Sequence, residues 1–173
     1  VLEGKKVNIR LAELNDIPLI HKWSNDPSFG GEYESLQQTT LNDLEKWFEE
    51  KESDTLLFLI EDKKGTPIGQ IIQTMSGGHP QIGYILLPTE RGKGYCTDAV
   101  ALLIDYLFLN KNYHRIQAKT NPLNIASIRV LEKNGFTYEG TVRKDAFIMG
   151  EWMDGKLYSI LREEWGESRI LCD

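Results

Sequence analysis

The 173-residue chain is long enough to bury a sizeable core and short enough for one fold unit, so residues 1–173 are expected to form a single domain. Its hydrophobic and charged fractions, 40% and 27%, are those of an ordinary soluble protein, and no apolar run approaches the length of a membrane span, which excludes a membrane partner. A net charge of −6 argues against nucleic acid, whose binding relies on clustered Lys and Arg, and fits either a cationic acceptor or simple solubility.

The N-terminus shows no charged start followed by an apolar secretory segment, so a cytoplasmic location is expected, with Val1 compatible with a trimmed end. Val7–Leu11 alternates apolar and polar residues and reads as a first strand, running into an N-cap at Asn15-Asp16 and a helix carrying Ile17, Ile20 and Trp23. That helix should fail near Asn25-Asp26-Pro27. Residues 28–38 have no clean period and are expected to form a surface loop, either a connection or one wall of an acceptor pocket. Thr40 and Asp43 then resemble a capping box, and Leu41, Leu44, Trp47 and Phe48 mark the buried stripe of a second helix.

Thr55–Ile60 and Pro67–Met75 are expected to form a hairpin turning at Lys63-Lys64-Gly65, and Ser76–Pro80 a further turn. His79 in that turn has no visible triad partner and reads as structural. The strand that follows stops at Pro88, a loop carries Gly92 and Gly94, and a helix begins with Val100, Leu103, Ile104 and Leu107 at helical spacing. Arg115–Thr120 supplies another strand. Asn121–Asn124 caps a helix bearing Ile125, Ile128 and Leu131, which ends at Asn134-Gly135, and Phe136–Ile148 and Trp152–Leu161 read as two final strands. No repeat or linker is visible, nothing excludes an oligomer, and Cys96 and Cys172 show neither metal spacing nor a CxxC pattern.

A glycine loop between a strand and a helix N-terminus can cradle phosphate oxygens, because unpaired backbone N–H groups and a partial positive charge meet there; alone it is equally a simple turn. Arg91, Gly94 and Cys96 resemble the acetyl-CoA loop of the GNAT acyltransferase superfamily, with Cys96 where the pattern has Gly or Ala. The order of elements also resembles that fold. Asn121-Pro122-Leu123-Asn124, Ser127, Glu132–Phe136, Glu139-Gly140 and Trp152–Asp154 are similar to the branch containing ribosomal-protein and other protein N-terminal acetyltransferases. The resemblance implies an α/β GNAT acyl-CoA N-acyltransferase fold with a mixed sheet of about seven strands and helices on both faces. It implies transfer of acetyl from acetyl-CoA to a primary amine by direct attack on the thioester.

By the same resemblance, backbone at Ile85, Leu86 and Leu87 would pair with the pantetheine arm, while Arg91, Gly92, Lys93, Gly94, Tyr95 and Cys96 would hold the pyrophosphate. Arg91 and Lys93 also read as solvated loop charges. Asn124 and Ser127 lie three apart on the predicted helix and can face one cleft. The Ser of this pattern implies a proton donor for the departing thiolate at Ser127; the Tyr many members place nearby is Leu131 here. The alternative is a Ser127 bonded within its own helix. Gln81 and Ala146 stand where relatives carry carboxylates, so no base is identified, and Asp26, Glu32, Glu34 and Asp145 are candidates for holding or deprotonating the acceptor. Because an α-amino group has a pKa of about 7.7–8.0 against about 10.4 for Lys, a peptide α-amine needs least help to be neutral. A polyamine, an aminoglycoside, another small amine, or a non-catalytic acyl-CoA sensor are the alternatives.

Overall fold

Strict alternation of apolar residues decides how the central strands face. In the computed structural model, which describes residues 1–171, the third strand sends Phe58 and Ile60 into one core and Leu57 and Leu59 into another. Cys172 lies outside the described residues. In chain order the elements are β1 (Leu2–Glu3), β2 (Val7–Leu11), α1 (Ile17–Ser24), α2 (Pro27–Gly30), α3 (Leu41–Glu50), β3 (Leu56–Asp62), β4 (Pro67–Ser76) and β5 (His79–Leu86). They continue through α4 (Tyr95–Asn110), β6 (Arg115–Thr120), α5 (Ile125–Lys133), β7 (Thr137–Ile148) and β8 (Glu151–Leu161).

The strands form one mixed sheet in the order β1-β2-β3-β4-β5-β6-β8-β7, eight strands against the seven expected. The extra one is the two-residue β1 at the edge, too short to show a period. All neighbours are antiparallel except β5 and β6, which pair in parallel only at Gln81 with Gln117 and Ile82 with Ala118. Beyond Ile82 the two strands part, and the gap between them is where the functional cleft opens. Helices α4 and α5 bury Val100, Leu103, Ile104, Leu107, Ile128 and Leu131 on one face, and Ile17, Ile20 and Trp23 of α1 cover the other. Among the described residues no helix is long and apolar enough to cross a membrane.

Several local expectations need correction. Residues 28–38 are not wholly loop: Pro27–Gly30 makes one helical turn, started by the Asp26 carboxylate accepting from Ser28 N–H at 2.9 Å. The turn before β5 shrinks to Gly77-Gly78, both at positive φ, so His79 and Pro80 lie in the strand, with His79 edge-on to His114. In α3, capped by Thr40 Oγ accepting from Asp43 N–H at 3.1 Å, Leu41 and Trp47 are exposed rather than buried. That helix lies at the rim, so only Leu44 and Phe48 reach the core. Asp16 does not cap α1 with its side chain; its carboxylate is engaged by the Arg10 guanidinium at 2.7 and 2.9 Å, which holds it below the ordinary aspartate range.

Candidate active site

A cleft of 750 Å³ follows the parting of β5 and β6. Its walls are Ile82–Leu86 of β5, the loop and first turn of α4, the first turns of α5, and Asp145, Ala146, Asp154 and Gly155 from the last two strands. Residues 30–34 cross one end.

At the glycine loop, α4 begins on Gly94 at φ 83° with no side-chain cap, so its first N–H groups face the loop without protein partners from a capping side chain. Gly92 at φ 79° and Gly94 take a backbone conformation that side chains disfavour. A Cβ on Gly94 would meet Lys6 Nζ at 2.8 Å, and that ammonium donates to the Lys93 carbonyl at 3.0 Å. Asp98, one turn into α4, accepts from the backbone N–H groups of Lys6 and Val7 at 2.6 and 3.0 Å. Lys6 is therefore a cation brought to the loop by the β2–α4 contact, 87 residues away in sequence; no local motif marks it. A glycine-lined, uncapped helix N-terminus fits a pyrophosphate, with Lys6 beside the loop although outside the cleft lining.

The two loop cations also bond within the protein, and of the two only Arg91 lines the cleft. Arg91 donates from Nε to the Leu86 carbonyl at 3.1 Å and from Nη2 to the Ser28 and Phe29 carbonyls at 3.3 and 2.5 Å. Its guanidinium clasps residues 28–31 to the end of β5. Lys93 pairs with Glu90 at 2.9 Å and lies over the Tyr95 ring, outside the cleft lining. Leu87 also lies outside that lining, and its N–H is bonded to the Ile68 carbonyl at 2.9 Å. Antiparallel alternation then turns Ile85 backbone toward β4 and leaves the N–H groups of Tyr84 and Leu86 facing the gap.

Cys96 lines the cleft as a largely enclosed thiol, and burial pushes its pKa up to about 12, which keeps it protonated. Asn124 caps α5, its Oδ1 accepting from Ser127 N–H at 3.1 Å. The Ser127 hydroxyl meets the Tyr84 hydroxyl at 2.9 Å, and the same phenol lies 3.2 Å from the Ser127 carbonyl. Burial raises the phenol well above the ordinary tyrosine range, partly offset by the Ser127 bond. Tyr84 leaves a weaker signal in the sequence: a polar tip on the same side of β5 as the buried Ile82 and Leu86. Tyr158, by contrast, is in the core against Tyr138 and outside the cleft lining.

Glu32, Glu34, Asp145 and Asp154 bring four carboxylates to the cleft lining, and Asp26 is not among its residues. Asp145 is paired with Lys119 at 2.7 Å, placed there by an irregularity of β7 between Val142 and Ala146. Glu34 has no hydrogen-bond or ion-pair partner among the described residues, and desolvation within the cleft walls raises its pKa although water still reaches it. Gly30 makes room for it: a Cβ there would stand 3.0 Å from Glu34 Cβ. The Gln81 side chain accepts from Gln117 Nε2 at 3.4 Å, and Gln81 is outside the lining.

Residues 6–137 match the family described as acetyltransferase (GNAT) domain. A probable N-acetyltransferase of Bacillus subtilis, YjcK, is 46% identical over 83 residues, which cover 48% of this chain and 46% of that protein, so the match spans about half the relative's length. The spermidine N(1)-acetyltransferase of Vibrio cholerae is 23% identical over 94% of this chain and 96% of its own. Among solved structures, the ribosomal-protein-S5-alanine acetyltransferase of Vibrio fischeri superposes with a TM-score of 0.81 at 26% identity, covering 95% of this chain and 98% of that one.

Proposed function

Because this chain belongs to the GNAT acetyltransferase family, we propose that it transfers the acetyl group of acetyl-CoA to a primary amine, with a peptide α-amine as the acceptor. One observation carries the reading: the uncapped, glycine-lined start of α4 and the Tyr84–Ser127 hydroxyl pair open into the same cleft. The backbone N–H groups from Gly92 to Thr97, with Lys6 beside them, would hold the pyrophosphate, and the Tyr84 and Leu86 N–H groups that face the gap would align the pantetheine arm. Orientation of this kind converts an encounter into an intramolecular attack. Ser127 then supplies a proton to sulfur, while Glu34 receives the acceptor's ammonium before it is deprotonated.

Acetylation of a polyamine is the second reading. It is favoured by the four carboxylates in the cleft lining, of which only Asp145 pairs with a cation among the described residues, since a polyamine brings several positive charges to one place. The V. cholerae relative is named for spermidine, and the V. fischeri structure for a ribosomal protein. A panel of peptides with free α-amines, blocked peptides bearing lysine, and polyamines, mixed with acetyl-CoA and scored by thiol release and product mass, separates the two. Turnover of free-N-terminus peptides alone supports the first reading; turnover of polyamines alone replaces it with the second; binding of acetyl-CoA without thiol release from any amine overturns both.

A further inference from the structure

We propose that Tyr84 is a positioning residue that donates a hydrogen bond to Ser127 Oγ and so turns the serine's own proton into the cleft, an inference that rests on the acetyl-transfer reading. The two hydroxyls are 2.9 Å apart, and Ser127 Oγ has no other partner among the described residues. Tyr84 reaches it from β5 across the gap where β5 and β6 have ceased to pair. Its ring shares a face with Ile82 and Leu86 in the core beneath α4, so the phenol is delivered by a packed strand, not by a loop. Asn124 fixes the other partner by holding Ser127 N–H.

A phenol and a serine hydroxyl carry one proton each, which allows two arrangements. In one, Tyr84 donates to Ser127 Oγ and the serine proton is free to point into the cleft. In the other, Tyr84 donates to the Ser127 carbonyl at 3.2 Å and the serine proton lies on the phenol oxygen, turned away from the cleft. The shorter contact is the hydroxyl pair, and negative charge developing on a departing sulfur draws the serine proton outward and selects the first arrangement. Burial holds the phenol in its protonated form, so it acts as a donor throughout.

The step balances without ionising either hydroxyl. The amine nitrogen forms a bond to the thioester carbonyl carbon, the carbon–sulfur bond breaks with its electron pair on sulfur, Ser127 gives its proton to sulfur, and Ser127 takes the proton that nitrogen sheds. Tyr84 keeps its own proton and fixes the serine oxygen between the two.

The test is a double-mutant cycle of Tyr84→Phe and Ser127→Ala, read as kcat for an amine that the wild type accepts, beside the acetyl-CoA dissociation constant and the melting temperature. Tyr84→Phe keeps the ring and its packing. It should lower kcat about tenfold, the equivalent of one hydrogen bond, with acetyl-CoA affinity within a few-fold. In the Ser127→Ala background the same change should lower kcat less than twofold, because the group it acts through is gone. A thioester with a more acidic leaving thiol should narrow the gap between wild type and Tyr84→Phe. Losses that add in the double variant, or a Tyr84→Phe protein that melts lower with unchanged kcat, would overturn the proposal and leave Tyr84 as a brace of the fold. A wild type that binds acetyl-CoA yet releases no thiol with any amine would overturn the transferase reading itself, and this inference with it.

Discussion

The Arg91 guanidinium holds the Phe29 carbonyl at 2.5 Å and the Leu86 carbonyl at 3.1 Å, tying the strap over the acceptor end to the strand that opens the cleft. A loop arginine beside two glycines also reads as a phosphate ligand, but here Nε and Nη2 donate to backbone carbonyls, and only Nη1 has no hydrogen-bond partner among the described residues. Arg91→Ala should therefore raise the KM for the amine about tenfold or more, because residues 30–34 lose their anchor, and change acetyl-CoA affinity only a few-fold. A phosphate ligand would show the reverse, with cofactor affinity falling and losing part of its salt dependence. Titration of acetyl-CoA at two ionic strengths, set against the amine KM, decides between them.

Gly94 predicts where the cofactor binds. Its φ of 83° costs a residue with a side chain roughly 1–2 kcal/mol, and a Cβ would push the flexible end of Lys6 aside. Acetyl-CoA at about 100 times its dissociation constant should stabilise the wild type by about 2.7 kcal/mol, seen as a rise in melting temperature. Gly94→Val should remove that rise while the protein still melts cooperatively.

Cys96 should prove dispensable. A thiol pushed up to about 12 holds almost no thiolate at neutral pH, so it fills space between α4 and the cleft and does not attack acetyl groups. Cys96→Ala should keep kcat within a few-fold. Loss of turnover with intact acetyl-CoA binding would instead demand an acyl-cysteine intermediate, detectable by mass on the wild type.

Much of this architecture is written locally. The alternating run Val7–Leu11, the stop at Asn134-Gly135 and the glycine loop each announce their element, because each depends on residues close in sequence. What was not legible is what the fold brings together from afar. Lys6 reaches the glycine loop because Asp98 binds the start of β2, and Tyr84 reaches Ser127 because β5 parts from β6; neither pairing leaves a spacing to read. The Arg91 contacts are illegible for the same reason, since its partners Ser28 and Phe29 lie more than sixty residues upstream. The exposed Leu41 and Trp47 show the converse limit: an amphipathic stripe states that a face is apolar, not that the fold supplies a surface to cover it.

Asp105, fully buried in α4, accepts from Trp165 Nε1 at 2.8 Å, from Ser168 Oγ at 3.3 Å and from Arg169 backbone N–H. It is the anchor by which the segment after β8 returns to the helix that positions the glycine loop. Asp105→Ala strands three donors, so it should cost about 3 kcal/mol or more of unfolding free energy, measured by urea denaturation. Acetyl-CoA added in excess should recover part of that loss, because binding favours the folded state.

Glu34 ties the site's chemistry to pH. Its carboxyl is raised by desolvation between the walls of the cleft and has no cation beside it, the arrangement expected of a group that waits for a positively charged acceptor. A carboxyl whose folded pKa lies above its unfolded value binds its proton more tightly when folded. The stability it contributes is thus fully present below the unfolded value of about 4.3 and is lost as pH rises through the folded one. Glu34→Gln should accordingly be at least as stable as wild type at neutral pH, with the difference closing toward pH 4, in thermal melts across that range. Activity should move the other way. Only the ionised carboxyl attracts an ammonium, so kcat/KM of the wild type for a cationic amine should fall as pH drops through the raised pKa, and Glu34→Gln should start lower at neutral pH, chiefly through KM, and lack that fall. A variant with wild-type kcat/KM and the same acid limb would remove Glu34 from the acceptor site and leave the cation to Glu32 or Asp154.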